Sequence, residues 1–186
     1  VIDNSDAKCV NKNTKQGMAT SVEEAGSAVP VPSGDVMFSA NQAVEQTDAT
    51  GNEHGFVATT DGETSSVVTN GSGEEVNLGP AIEEVQERGK TISFDVHTHP
   101  DNYTMNSDGT YTSDAPIPSG TPGQPGKDYG GRAIAEANGR GTDPSWVIGT
   151  QTNISQTKSQ IGGTTTTSVN QEKVVTFYTS QRIVGS

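Results

Sequence analysis

The stretch Thr91-Ile-Ser-Phe-Asp-Val-His-Thr-His-Pro100 decides the reading of this chain. Ile92, Phe94 and Val96 alternate with Thr91, Ser93 and Asp95, the period-two pattern of a half-buried strand. Pro100 removes a backbone donor and stops the strand. His97 and His99 stand at i and i+2 at that end, so one face of the strand carries both imidazoles. The ordinary fate of a histidine in a strand is a half-buried, hydrogen-bonded side chain. Two at this spacing, ahead of a long polar loop, point instead to a shared metal ion. Imidazole is a common zinc ligand, and a catalytic zinc takes three protein ligands while keeping one position open. The last of the three histidines is His99, so a third ligand downstream has to be a carboxylate from the loop or helix that follows Pro100.

Elements on either side of this strand predict an α/β (α+β) fold with a mixed, mostly antiparallel sheet flanked by helices. Upstream, Ser39 reads as the N-cap of a short helix over Ala40–Thr47. Residues 55–60 read as a strand, Asp61-Gly62 and Asn70-Gly71 as hairpin turns, and Thr64–Thr69 and Glu74–Leu78 as the next two strands of a meander. Pro80 and Gly89 bracket a helix over Ala81–Arg88, with Ile82 and Val85 on one face. Downstream, residues 100–127 form a long loop rich in Gly, Pro, Ser and Asp. Loops of that length are commonly functional or mobile. Asp128 opens a helix to Asn138 with Ala133, Ile134 and Ala137 as its inner face. Trp146–Ile148 is a strand core, with Trp146 in the core or on a cleft wall. Residues 152–171 read as a hairpin tip or flexible excursion, and Lys173–Tyr178 as the last strand. Residues 1–35 are polar with little periodicity and read as an extended arm or linker, leaving 36–186 as the domain. Val29, Val31, Val36, Met37 and Phe38 offer that arm an apolar docking segment.

Composition bounds the function. The 186 residues suit one domain, and 29% hydrophobic content implies a small core with much loop. A formal net charge of −12 argues against nucleic acid or an anionic membrane as partner. No apolar run is long enough to span a bilayer. The single Cys9 excludes an internal disulfide framework and any multi-cysteine zinc site. The Gly-rich stretch 120–131 lacks the Lys-Ser/Thr pair of a phosphate loop, so nucleotide binding is not expected. Val1 in place of Met, with no signal peptide, suggests a processed product or an excised fragment. His54 reads as a surface residue at a strand start, and Glu83, Glu84 and Glu87 as a solvated helix face. Tyr103 and Tyr111 in the long loop are candidates for a substrate groove.

The His-Thr-His-Pro run, an upstream Glu ahead of a strand, and a downstream Ser and Asp resemble the JAMM motif of the JAB/MPN metalloprotease superfamily. The resemblance covers residues 39–150 and extends to the last strand. It implies cytidine-deaminase-like layering and one zinc per chain held by His97, His99 and Asp128. It also implies Glu53, in Glu53-His-Gly-Phe-Val57, as general base for a zinc-activated water, and Ser119 as stabiliser of the oxyanion. The reaction implied is hydrolysis of a peptide or isopeptide bond in a protein or peptide substrate. The spacing departs from the family's. Thr110 stands where the family has its Asp, whereas Asp128 lies 29 residues after His99, an insertion of about 18 residues. Asp108 and Asp114 are nearer rivals. Asp128 is favoured because a helix N-terminus suits a carboxylate and the following helix and strand fit the family's order.

The long loop and the Pro118-Ser119 context also resemble JAB-like domains at the C-termini of bacterial polymorphic toxins and Rhs-type proteins, and the acidic, Thr/Gly-rich composition with the start at Val1 suits an excised domain of a larger secreted or cell-surface protein. The alternative is a catalytically inactive JAB/MPN-like binding module. Retention of Glu53, His97 and His99 together favours the enzyme. A third possibility is an active domain silenced by loop 100–127 or by the arm. Asp95-Val-His-Thr-His99 also resembles the opening motif of amidohydrolases. Those need a barrel of about 250 residues and further histidines downstream, which this chain lacks.

Overall fold

A computed structural model describes residues 32–101, 103–107, 111–113, 116–158, 163 and 165–186. Its first element is helix α1, Gly34–Thr50. The Ser33 hydroxyl accepts from the Val36 N–H at 3.2 Å and so serves as N-cap. Asp35 adds a favourable charge in the first turn. The helix therefore begins well before Ser39. That serine lies buried inside the helix and hydrogen-bonds Thr64 Oγ1 at 2.8 Å. Residues 34 and 35, expected in the arm, belong to α1, while residues 1–31, with Val29, Val31 and Cys9, lie outside the described residues. Val36, Met37, Ala40, Ala43 and Val44 form the buried stripe of α1, whereas Phe38 is 72% exposed.

Strand β1, Gly55–Thr59, follows. The expected meander does not form. Residues 60–78 pair with β1 as isolated bridges and not as strands, Gly55 with Val68 and Ala58 with Thr64. Hydroxyls take over much of the backbone pairing: Ser65 Oγ accepts from the Val57 N–H, and Thr59 Oγ1 from the Glu63 N–H. Ser and Thr side chains offer this alternative to ladder bonds. Asp61-Gly62 makes its turn, with Gly62 at φ 87°, whereas Asn70-Gly71 closes no hairpin: Gly71 takes φ 75° in a bend, and residues 74–78 form no strand. Helix α2 is Gly79–Glu87, with Pro80 in its first turn and Ala81 and Val85 buried.

Strand β2, Ile92–Thr98, is the second strand of a five-stranded sheet. After it come a small ribbon of β3, Tyr103–Met105, and β4, Tyr111–Ser113, within the expected loop. Helix α3, Asp128–Ala137, then leads to β5, Ser145–Lys158, β6, Thr165–Tyr178, and β7, Ile183–Gly185. The sheet order is β1-β2-β5-β6-β7. Only the β2–β5 pairing is parallel; the others are antiparallel. The fold is a mixed, mostly antiparallel sheet between helices, as the sequence implies.

Residue parity sorts the two faces. Phe56, Ala58, Val96, Trp146 and Ile148 pack on α1, with Phe94 stacked on Trp146 at 5.3 Å. Val57 packs on α2, and Val147 and Tyr178 pack with Tyr129 of α3. Ile92 departs from the expected alternation. A register shift opposite Ala58/Thr59 turns it to the α2 side, away from Phe94 and Val96.

Two further expectations are corrected. The inner face of α3 is Tyr129, Gly130 and Arg132, while Ile134 is 60% exposed and Ala137 is exposed. Arg132 turns inward because Glu136, Ser145 and two carbonyls receive its guanidinium. Residues 152–158 and 165–171, expected as tip or flexible excursion, are regular strand, paired from Ser145↔Tyr178 out to Lys158↔Thr165. Among the described residues no helix is long and apolar enough to cross a membrane.

Candidate metal centre

β2 places His97 opposite Gly55 on one side and Val147 on the other, in the middle of the sheet. The ladder continues one step past the strand, because the His99 N–H donates to the Ile148 carbonyl at 2.8 Å. Both imidazoles are thereby fixed on the face that carries α2 and α3. His97 is buried and His99 half-buried. Their Nε2 atoms lie 3.3 Å apart. Asp128 Oδ2 lies 3.2 Å from His97 Nε2 and 3.5 Å from His99 Nε2.

These three separations test the fit to a metal. Zinc–nitrogen bonds of 2.0–2.1 Å in a tetrahedron set neighbouring ligand atoms about 3.3–3.4 Å apart. The three donor atoms thus match one face of a tetrahedron, and this His-His-Asp group can hold a metal ion. The donor set, two imidazoles and a carboxylate, is suited to zinc.

Asp128 is brought to the histidines across a gap of 29 residues. The chain is pinned twice on the way. Thr176 Oγ1 donates to the Pro116 carbonyl at 2.6 Å, and Pro116 lies so close to Gly149 that a Cβ there would sit 2.7 Å from its own Cβ. Ser119 makes the second anchor. Its N–H donates to Asp128 Oδ2 at 2.7 Å, and its hydroxyl receives the Asp128 N–H at 3.4 Å. Asp128 is the first residue of α3, where the helix dipole favours its charge. Ser119 therefore orients Asp128 as well as lining the cleft beside it. Asp108 and Asp114 lie outside the described residues.

Glu53 comes in from the other side. Its backbone is held ahead of β1, with the N–H on the Ser72 carbonyl at 2.6 Å and its own carbonyl accepting from Thr69 Oγ1 at 2.7 Å. Its Oε1 lies 3.7 Å from His99 Nε2, next to the donor triangle but not part of it. Burial raises the proton affinity of Glu53 above the ordinary carboxylate range; the nearby histidines oppose this, and the Asp128 charge reinforces it. Burial opposes charge on Asp128 too, but His97, His99 and the Ser119 N–H outweigh it and hold that carboxyl well below its usual range. On His97 burial likewise opposes the charge, yet Asp128, Glu53 and Asp95 raise its pKa. Opposite environments thus separate the two carboxylates: Glu53 is ready to hold a proton, whereas Asp128 is committed to the anion.

Sequence reasoning missed three groups. Tyr178 packs edge-on against the His97 ring, with centroids 6.3 Å apart. Burial raises its pKa well above the ordinary phenol value. Behind His97, Ser145 Oγ donates to Asp95 Oδ1 at 2.5 Å and accepts from Arg132 Nη1 at 3.0 Å. His54, expected at the surface, is buried on the α1 side. Its Nδ1 lies 3.1 Å from Thr47 Oγ1 and 3.0 Å from the Asn52 carbonyl, and Thr98 Oγ1 bonds its backbone N–H at 3.0 Å. His54 is thus a structural residue of the opposite face. Trp146 is in the core, as expected.

A cleft of about 700 Å³ opens over the site, between α3 and the segment 72–79. Glu53, His97, Ser119, Asp128 and Tyr178 line one end of it. Comparison of the chain with protein-family models, with curated proteins and with solved structures finds no match.

Proposed function

We propose that this protein is a zinc-dependent hydrolase of the JAB/MPN kind that cleaves a peptide or isopeptide bond in a protein or peptide substrate. The observation that carries the reading is the donor triangle of His97, His99 and Asp128 at tetrahedral spacing, with the buried Glu53 3.7 Å from it, at the end of an open cleft.

His97, His99 and Asp128 would hold the ion. When bound, zinc supplies Lewis acidity that polarises a carbonyl and lowers the pKa of water toward ~7. Glu53 accepts the proton of the attacking water and passes it to the leaving amine, a role suited to a carboxylate whose proton affinity is raised by burial. Ser119 lines the cleft beside Asp128, and its hydroxyl is the side-chain donor assigned to the developing oxyanion. Tyr178 packs edge-on against the His97 ring and clusters with Val147 and Tyr129 beside it.

The test is metal content by elemental analysis on protein purified without chelator or His tag, for wild type, His97→Ala and Glu53→Gln in parallel. Zinc equimolar with wild type and with Glu53→Gln, absent from His97→Ala, is expected. Hydrolysis of a denatured-protein substrate should follow wild type alone. Wild type that takes up no zinc even after supplementation would refute the assignment, and Glu53→Gln with full activity would refute its mechanism.

A further inference from the structure

The cleft does not end at the metal centre. It runs along β2 and α3 to Arg140, whose Nε is buried and has no hydrogen-bond partner. A buried donor left unpaired is rare and calls for a cause. Arg88, Lys90, Arg132 and Lys173 each lie within ion-pair distance of a carboxylate. Arg140 keeps an unpartnered donor in a chain of net charge −12, where acidic partners are plentiful.

Its backbone is fixed. Gly139 takes φ 68°, the Arg140 N–H reaches back to the Ala135 carbonyl at 2.8 Å, and the Gly139 N–H to Glu136 at 3.0 Å. This pattern closes a helix C-terminus through a left-handed glycine. Gly141 then bonds the Ile92 carbonyl at 3.4 Å, tying the turn to the start of β2. Arg140 is therefore held at one end of the cleft, with His97 at the other. Between them lies an apolar floor that includes Val57, Ile82 and Ile92. Near the catalytic end the wall carries Glu74 and Glu75, which repel a carboxylate. Carboxylates outnumber cations at the metal end, where Lys127 also lines the wall beside Asp128, and Arg140 stands at the other end.

We infer that Arg140 is a specificity-determining residue that receives an acidic side chain of a substrate peptide lying along the cleft. This rests on the hydrolase reading, but its test does not. From His97 to Ile92 is five strand residues, about 16 Å at ~3.3 Å each. An extended peptide spans that distance in about five residues. The acidic residue recognised therefore stands about four to five positions from the bond at the metal centre. A planar fork of N–H donors suits a carboxylate there.

The experiment selects a displayed library of random twelve-residue peptides on zinc-loaded Glu53→Gln protein, alone and combined with Arg140→Gln or Arg140→Glu. Binding is the readout, so it stands whether or not wild type cleaves anything. Asp or Glu enriched at one fixed position, lost with Arg140→Gln and replaced by Lys or Arg with Arg140→Glu, is the expected result. Circular dichroism shows whether each variant is folded, and the charge reversal is an outcome no merely structural role produces. Selected peptides with no acidic position, or an acidic position that survives Arg140→Gln, would overturn the inference. Failure of the hydrolase reading would show itself separately, as absence of cleavage by wild type of the same selected peptides.

Discussion

Arg132→Met is the substitution whose consequence the structure fixes most fully. Met keeps much of the length and the apolar stem of Arg and removes the charged fork. In the native protein that fork donates to Glu136 Oε1 at 2.9 Å, Ser145 Oγ at 3.0 Å, and the Gly141 and Asp143 carbonyls at 2.8 Å each. The Arg132 side chain is 3% exposed. Hydrogen bonds to a charged group contribute about 1.5–3 kcal/mol each, but four from one guanidinium do not add. Several acceptors can also recover water. The Glu136 and Asp95 side chains are 32% and 18% exposed, and Ser145 keeps its bond to Asp95. The loss should therefore fall at the low end for breaking a buried charge network, about 3 kcal/mol. For a chain of this size that lowers Tm by about 6–12 °C. Urea unfolding followed by far-ultraviolet circular dichroism should show the midpoint shifted at unchanged slope. A loss below about 1 kcal/mol, the range of exposed pairs, would refute the network as the reason an arginine, and not Ile134, faces inward on α3.

Other perturbations separate structural from metal-holding residues. His54→Ala breaks buried bonds to Thr47 and Asn52 and should cost about 1–3 kcal/mol, yet leave zinc content by elemental analysis unchanged; loss of zinc would place His54 in the site. Gly130→Ala puts a Cβ 2.5 Å from the Gln124 carbonyl. It should cost about 1–3 kcal/mol and weaken zinc affinity in a competition titration with a chromogenic chelator, because the 119–126 segment that orients Asp128 must shift; native affinity would show that the segment yields freely. Glu136 carries a pH prediction. Burial raises its pKa, but Ser180 and Arg132 outweigh that and hold it below its ordinary value of 4.5. Its contribution is therefore complete above that value and lost as pH falls through the lower, folded-state one. The stability gap between wild type and Glu136→Gln in urea should close on acidification below about pH 4.5, and a gap that widens there would contradict the sign.

What the sequence makes legible is what has a local cause. β2 and its two histidines declare themselves by period and by Pro100. α2 is bracketed by Pro80 and Gly89, and Asp128 stands at a helix start. The misread parts depend on partners far along the chain. Ser33 and Ser39 are both acceptable caps, and the choice between them rests on the apolar stripe running from Val36 to Val44 against the sheet. Arg132 faces inward because Ser145 and Asp143 are waiting there, and an apolar count along α3 cannot register them. His54 is buried by Thr47 and Thr98, 7 and 44 residues away. In β6 every residue from 165 to 173 is exposed, so no apolar period marks the outer half of that strand. The surviving signal is the density of Thr, a residue suited to strands.

The long separation of Asp128 from His99 is compatible with a rigid site, for a reason that lies in chain statistics. Closing a flexible loop becomes more costly only slowly with length, by about 0.6 kcal/mol for each doubling. The geometry of the donor triangle depends instead on where the chain is fixed before Asp128. Pro116 is held against Gly149 and Thr176 of two paired strands, and Ser119 clamps the Asp128 carboxylate and its N–H. Beyond Asp128, Arg132 locks the next turn of α3 to β5 and the 141–143 turn. The carboxylate of the candidate group is thus positioned by strand and helix, as the two histidines are.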